Sequence, residues 1–305
     1  MEIIKYKYHF LIFSLVLLIP GIIFLAVFGL RLSIDFVGGS LATYEVSENS
    51  TQIVEESIKK TYSENSVELE NFSIEGSNKL VVRTKPVDVN KNQELKTLLE
   101  EKHKDQSLKQ VAFETVGPVV GRETTQNAFV SLAWASLGIL LYIAYAFRNV
   151  PKPFSSVRFG AAAIIAMLHD AVLVLGVFSI LGYFYGTEVD SLFITAILTV
   201  IGFSVHDTIV VFDRIRENLS KLPSSFNFES VVNFSIVETL NRSLATSFTV
   251  VLTLSSLYLL GGESIKTFVF AMLIGIISGT YSSIFTASPI LVIWEDYVRK
   301  RSRNK

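Results

Sequence analysis

Residues 202–218 of the chain read GFSVHDTIVVFDRIREN. His206 and Asp207 fall inside an apolar run long enough to cross a bilayer. Asp213 and the basic pair Arg214 and Arg216 follow where that run should reach water. An ionisable side chain at membrane depth costs roughly 2.5–3.5 kcal/mol on insertion scales, so its presence there points to a task. At 100° per residue Asp207 and Arg214 share a face, whereas Asp213 lies well round the helix. An aspartate in hydrocarbon must face the inside of a bundle or a water-filled cavity, so this stretch demands a polytopic membrane protein around it.

Composition agrees. Of 305 residues, 50% are hydrophobic and 18% charged, with a formal net charge of -1, less charge than soluble domains usually carry. The chain has no cysteine and four scattered histidines, which excludes disulfides and thiol catalysis and offers no metal-ligand spacing. Six apolar runs occupy residues 10–30, 127–147, 159–181, 192–212, 243–260 and 268–293. The first exceeds the core of a signal peptide, and Val27-Phe28-Gly29 is a poor cleavage site, so it reads as a permanent helix preceded by a short N-terminus, residues 1–9.

Residues 31–126 differ in kind, being polar and free of long apolar runs. Their pattern predicts strand 41–46, helix 50–62, strand 67–74, strand 79–84, helix 90–103 and strand 108–115. That order, βαββαβ, is the ferredoxin-like split motif. The expected fold class is an all-α bundle of six transmembrane helices with one extracytoplasmic α+β ferredoxin-like domain between helices one and two. Orientation follows from Lys and Arg: Arg148, Lys152, Arg158, Arg214, Arg216, Lys221, Arg242 and the basic tail of residues 294–305 all flank one side. The opposite short loops offer only Lys266. Both termini are therefore expected in the cytoplasm. The tail reads as a stop-transfer flank facing anionic lipid, or as a recruiter of RNA or ribosomes.

Four features compete for chemistry. Asp207 is the leading one; the alternative is a structural hydrogen bond. His169-Asp170 in the third run puts a second ionisable pair near mid-span, with packing as the alternative. Asp213 reads as a boundary charge paired with Arg216 at i+3. In the fifth run Arg242, Thr246, Thr249, Thr253 and Ser256 form a stripe at helical spacing after an amphipathic segment, residues 229–240. It reads as a hydrated path under a guanidinium, or as hydroxyls that bond back to their own turns below a membrane anchor. Gly275, Gly279 and Ser283 read as a small-residue packing row. Two glycine clusters, Asp35-Phe36-Val37-Gly38-Gly39 and Glu114-Thr115-Val116-Gly117-Pro118-Val119-Val120-Gly121-Arg122-Glu123, read as rigid turns at the edges of the polar domain. Neither has the flanks of a nucleotide-phosphate loop, and no catalytic set or metal motif is present.

Taken together, the Asp35 and Gly117 glycine motifs, the His169-Asp170 pair and the signature from Ser204 to Asn218 resemble the SecF family. SecF is the smaller half of the SecD–SecF translocation accessory complex, in the resistance-nodulation-division superfamily. The resemblance covers essentially the whole chain, and its helix-four signature is the specific part. It implies a non-enzymatic, proton-motive-force-dependent partner of the Sec channel in the bacterial plasma membrane, with no cofactor. The implied partners are SecD, the SecYEG translocon, YajC, unfolded preprotein and the lipid bilayer, with no nucleic acid. By motif, its functional aspartate matches Asp207 and its functional arginine Arg242; His206, Asp170 and Thr246 are further candidates for proton coupling. Asp35, Gly38, Gly39, Gly117, Pro118, Gly121, Asp213 and Arg214 are expected as structural motif residues. The Asp207–Arg242 separation is one residue longer than the family pattern. Rival readings are a small-molecule efflux pump of the same superfamily and a non-transporting scaffold.

Overall fold

In the computed structural model, which describes residues 2–47, 51–75, 78–223 and 226–303, the chain enters through a 3-10 turn, Ile4–Tyr6, and helix α1, Lys7–Phe28. Twenty-two residues make about 33 Å of helix, enough for a hydrocarbon core of about 30 Å. Ile12, Val16, Ile19, Ile23 and Val27 are all exposed, a surface suited to lipid rather than water. Two clusters of contacts divide the chain, residues 32–129 and the remainder.

The smaller, α+β unit opens with a helical turn, α2 (Ile34–Val37), and strand β1 (Gly39–Glu45). Helix α3 (Thr51–Glu64), β2 (Leu69–Glu75), β3 (Lys79–Thr84), α4 (Val89–Lys102) and β4 (Lys109–Val116) follow. The sheet order is β2-β3-β1-β4, and every neighbouring pair is antiparallel, with Leu41 opposite Arg83 and Ser40 opposite Thr115. Alternation places Ala42, Tyr44, Leu80 and Val82 on one face. Val54, Ile58 and Tyr62 of α3 and Leu95 and Leu99 of α4 join them in one apolar core. Ser50, expected as the start of the first helix, lies outside the described residues.

Both glycine clusters differ from the turns expected of them. Asp35 lies in α2, where its backbone N–H is capped by Ser33 Oγ at 3.2 Å. Gly38 and Gly39 have φ of +78° and +133°, and Gly39 already belongs to β1. The second cluster is the end of β4 through Val116, one link at Gly117, and then helix: α5 runs Pro118–Ala146 and so starts nine residues before the expected boundary. Pro118 fits the first helical position, where no N–H bond is needed. Gly121 sits where a Cβ would stand 2.9 Å from Gly38 N and 3.0 Å from Phe36 O. Thr125 Oγ1 also donates to Phe36 O at 3.2 Å. The glycines thus dock the two ends of the unit against each other, a contact that local sequence patterns cannot announce.

The membrane unit continues with α6 (Ser156–Tyr185), α7 (Ser191–Lys221) and α8 (Phe228–Leu260). The residue 229–240 segment and the fifth run are thus one unbroken helix. The sixth run is three pieces: α9 (Glu263–Ser282), a π-helical turn (Ser283–Ala287) and α10 (Ser288–Arg303). Asn304 and Lys305 of the basic tail lie outside the described residues. Among the described residues six helices are long and apolar enough to cross a membrane, and this is a multi-pass membrane protein. The core centres on α6 and α7, with Phe159, Phe178, Phe193 and Phe212 fully buried, and takes further residues from α5, α8, α9, the π turn and α10. Close approach is achieved without side chains: a Cβ on Gly176 would lie 2.6 Å from Gly21 Cα of α1. The small-residue row of α9 lies on α7, Gly275 against Val200 and Gly279 against Ser204.

Candidate functional site

Ser204 and Asp207 are three residues apart on α7 and point into the bundle, where both are buried. Asp207 Oδ1 accepts a hydrogen bond from Ser243 Oγ of α8 at 2.8 Å. Its Oδ2 accepts from Ser283 Oγ, the first residue of the π turn, at 2.6 Å. Asp170 of α6 is fully buried. Its Oδ2 accepts from Ser204 Oγ and Ser282 Oγ, each at 2.5 Å, and its Oδ1 accepts from Ser278 Oγ at 2.6 Å. His169 Nδ1 lies 3.0 Å from the same Oδ1. Two consecutive serines, Ser282 and Ser283, therefore serve two different carboxylates.

The neighbouring helices are tied to this centre by further hydroxyls. Ser14 Oγ of α1 and Thr286 Oγ1 of the π turn are 2.9 Å apart, and Thr280 Oγ1 donates to Ser247 Oγ of α8 at 2.6 Å. Ser288 Oγ donates to Ser283 O, five residues back, at 3.2 Å. Among the described residues, His169 Nε2 and Thr208 Oγ1 are buried without a hydrogen-bond partner. Among the described residues, no group of three or more His, Asp or Glu side chains could hold a metal ion.

The expected approach of Arg242 to Asp207 is not the contact made. Ser243 fills that place, and Arg242, one position or about 100° round the helix, is exposed. The stripe below it is exposed as well, and its hydroxyls bond to their own helix: Thr246 to Arg242 O at 3.0 Å, Thr249 to Thr246 O at 2.8 Å and Thr253 to Thr249 O at 2.9 Å. His206 also faces outward, away from the buried Asp207 beside it. Asp213 pairs with Arg216 at 2.6 Å, as the i+3 spacing predicts.

Arg214 does share the face of Asp207, and both look toward α8. Its guanidinium pairs with Glu238 of α8 through two contacts, Nε to Oε2 at 2.6 Å and Nη2 to Oε1, and with Glu217 at 2.5 Å. Asn218 Nδ2 donates to Ser235 Oγ at 2.9 Å and to Glu238 Oε2 at 3.1 Å. A polar seam thus joins α7 and α8 from Asp207 to Asn218. Ends of the bundle are anchored by Lys7 to Glu229 at 2.9 Å and by the buried pair Arg158 Nε to Glu295 Oε1 at 2.7 Å.

Sequence reasoning missed Ser204, Ser243, Ser278 and Ser282, and took Ser283 for packing alone. The available signal was spacing: Ser204 lies one turn from Asp207, and Ser278 and Ser282 are one turn apart.

Residues 95–297 match the family described as "Protein export membrane protein SecD/SecF, C-terminal", and residues 23–49 match the SecD/SecF GG motif. The chain belongs to the SecD/SecF family. It is 47% identical to the protein translocase subunit SecF of Thermobaculum terrenum, over 98% of this chain and 96% of that one. It is 35% identical to the protein translocase subunit SecDF of Bacillus subtilis, over 95% of this chain but 37% of that one. The crystal structure of SecDF, a translocon-associated membrane protein from Thermus thermophilus, superposes with a TM-score of 0.80 at 32% identity, covering 97% of this chain and 39% of that chain. Against the fused SecDF chains, this chain therefore spans well under half the length.

Proposed function

We propose that the chain is a proton-motive-force-dependent accessory subunit of the Sec preprotein translocase, working with SecD to promote export and release on the outer side. The observation that carries this reading is Asp207, a buried carboxyl in a membrane-spanning helix, held among the described residues by hydroxyls. Such a group can exist charged or neutral, and a change of charge inside a bundle changes which packing is favoured. Each proton that crosses supplies about 2.3 kcal/mol per 100 mV. That suffices to reorient a domain and not to unfold a protein in one step.

The Lys and Arg distribution supports both termini in the cytoplasm of a bacterial plasma membrane. With them, the α+β unit, ferredoxin-like by its element and sheet order, lies outside, where it meets unfolded preprotein. SecD is assigned to the face formed by Thr195, Thr199 and His206 of α7 and Arg242, Thr246 and Thr249 of α8. All six are exposed, and hydrocarbon is a poor neighbour for that row. Relatives that carry SecD and SecF in one chain support an intimate membrane contact. Arg242 then acts on the charge of Asp207 in another state of the cycle, or through a group that SecD brings. SecYEG and YajC complete the assembly, with no cofactor and no enzymatic step.

The test is Asp207→Asn, an isosteric neutral side chain. Proton-dependent stimulation of secretion should disappear while SecD still copurifies. Normal secretion and proton flux in the variant would sink the reading.

A further inference from the structure

The two buried carboxyls differ in the freedom of the groups that hold them. Ser283 Oγ stands 2.6 Å from Asp207 Oδ2 and also 3.1 Å from Thr280 O, so its proton has two acceptors. When Asp207 is a carboxylate, the hydroxyl donates to Oδ2. When Oδ2 carries a proton, that proton is donated to Ser283 Oγ, whose own hydrogen turns to Thr280 O. Every polar atom keeps a partner in both states, and only a hydroxyl rotates. Ser243 donates to Oδ1 throughout.

Asp170 is held by more groups. Three hydroxyls, from Ser204, Ser278 and Ser282, donate to its two oxygens, and His169 Nδ1 lies beside Oδ1. Among the described residues only Ser282 has a second acceptor, Gly279 O at 3.3 Å.

We propose that Ser283 is the hydroxyl switch that lets Asp207 exchange a proton, and that Asp170 is the positioning residue that holds Ser204 and Ser282 beside it. Because Ser282 directly precedes Ser283, the first residue of the π turn, Asp170 sets where the switching hydroxyl stands. The charged and titratable groups around Asp207 are Asp170 and His169 on α6, Arg242 and Glu238 on α8, and His206, Asp213 and Arg214 on α7. The π turn contributes hydroxyls only. None of the charged groups bonds to the Asp207 carboxyl among the described residues.

This inference rests on the proton reading of Asp207, and the experiment separates the two. The full chain in lipid vesicles, labelled with carboxyl-13C aspartate to set Glu295 apart, is followed by pH-difference infrared spectroscopy. One buried aspartic acid band should appear as pH falls, and Asp207→Asn should abolish it. Ser283→Ala should move its midpoint by about one pH unit, the scale of losing one hydrogen bond to a charged group, and Ser283→Thr should restore it. A buried aspartate band that persists in part in Asp207→Asn would show that Asp170 exchanges a proton as well and overturn its positioning role. A midpoint unmoved in Ser283→Ala would overturn the switch. Spectra identical in wild type and Asp207→Asn would instead remove the proton reading itself.

Discussion

Asn92 with Gln110 in the α+β unit, and Asp207 with Ser283 in the membrane unit, are both buried polar pairs, and they differ in what they leave free. The amides of Asn92 and Gln110 bond reciprocally, Nδ2 to Oε1 at 3.2 Å and Nε2 to Oδ1 at 3.0 Å. Gln110 also reaches Tyr44 Oη at 3.4 Å, which lies 2.9 Å from Tyr62 Oη. Amides have fixed donor and acceptor ends, so this network has one arrangement and specifies one packing. Hydroxyls have no fixed end, and the network around Asp207 is made of them. The same economy of buried hydrogen bonds therefore fixes a shape in one unit and permits two charge states in the other.

Substitutions sharpen the contrast in order of effect. Asp207→Asn should remove proton-dependent secretion altogether while the unfolding temperature of the full chain changes little. A collapse of stability instead would make Asp207 a packing residue like Asn92. Leu80→Ala, in the centre of the α+β core, should cost about 2–5 kcal/mol. Hydrogen exchange of the strand amides in the full chain should register it, with the Asp207 band unmoved. Asn92→Ala leaves Gln110 short of partners and should cost about 1–3 kcal/mol by the same measurement. Thr249→Val removes a hydroxyl that bonds to its own helix and should change stability by less than about 0.5 kcal/mol. Loss of secretion comparable to that of Asp207→Asn would instead put the proton path along the α8 stripe.

The tyrosines give a pH-dependent form of the comparison. Burial, with Tyr62 beside it, pushes the Tyr44 phenol well above its ordinary value, and burial raises Tyr62 too. The unfolded chain loses these protons near pH 10 while the folded unit keeps them. Their contribution is thus complete below about pH 10 and is lost as pH rises beyond it. Alkaline titration of strand amide protection should show this loss, and Tyr44→Phe should lessen it.

How much of this was legible in the sequence follows the range of the forces involved. Six apolar runs and the βαββαβ order rest on periodicity within a segment, and the structure contains six candidate membrane helices and that order of elements. Asp207 stood out because a charge in an apolar run is costly, and Asp213 found Arg216 within one turn. Contacts between helices carry no such local mark. Serine in a membrane helix serves packing, back-bonding or donation equally well, so Ser283 looked like a spacer and Ser243 like nothing at all. Arg242 was read toward Asp207 because it was the visible cation, whereas the buried face of α8 one position away is the one that arrives.

The π turn between α9 and α10 has a geometric consequence for the far end of the bundle. It holds one residue more than an α turn, so it sets back the angular phase of everything that follows by about 100°. With that offset Glu295 projects within about 20° of the direction of Ser283; in a regular helix the two would diverge by about 120°. Glu295 is the residue that meets Arg158 at 2.7 Å. One inserted residue thus acts as a phase corrector, letting a single span keep its polar side toward the interior from carboxylate to anchor.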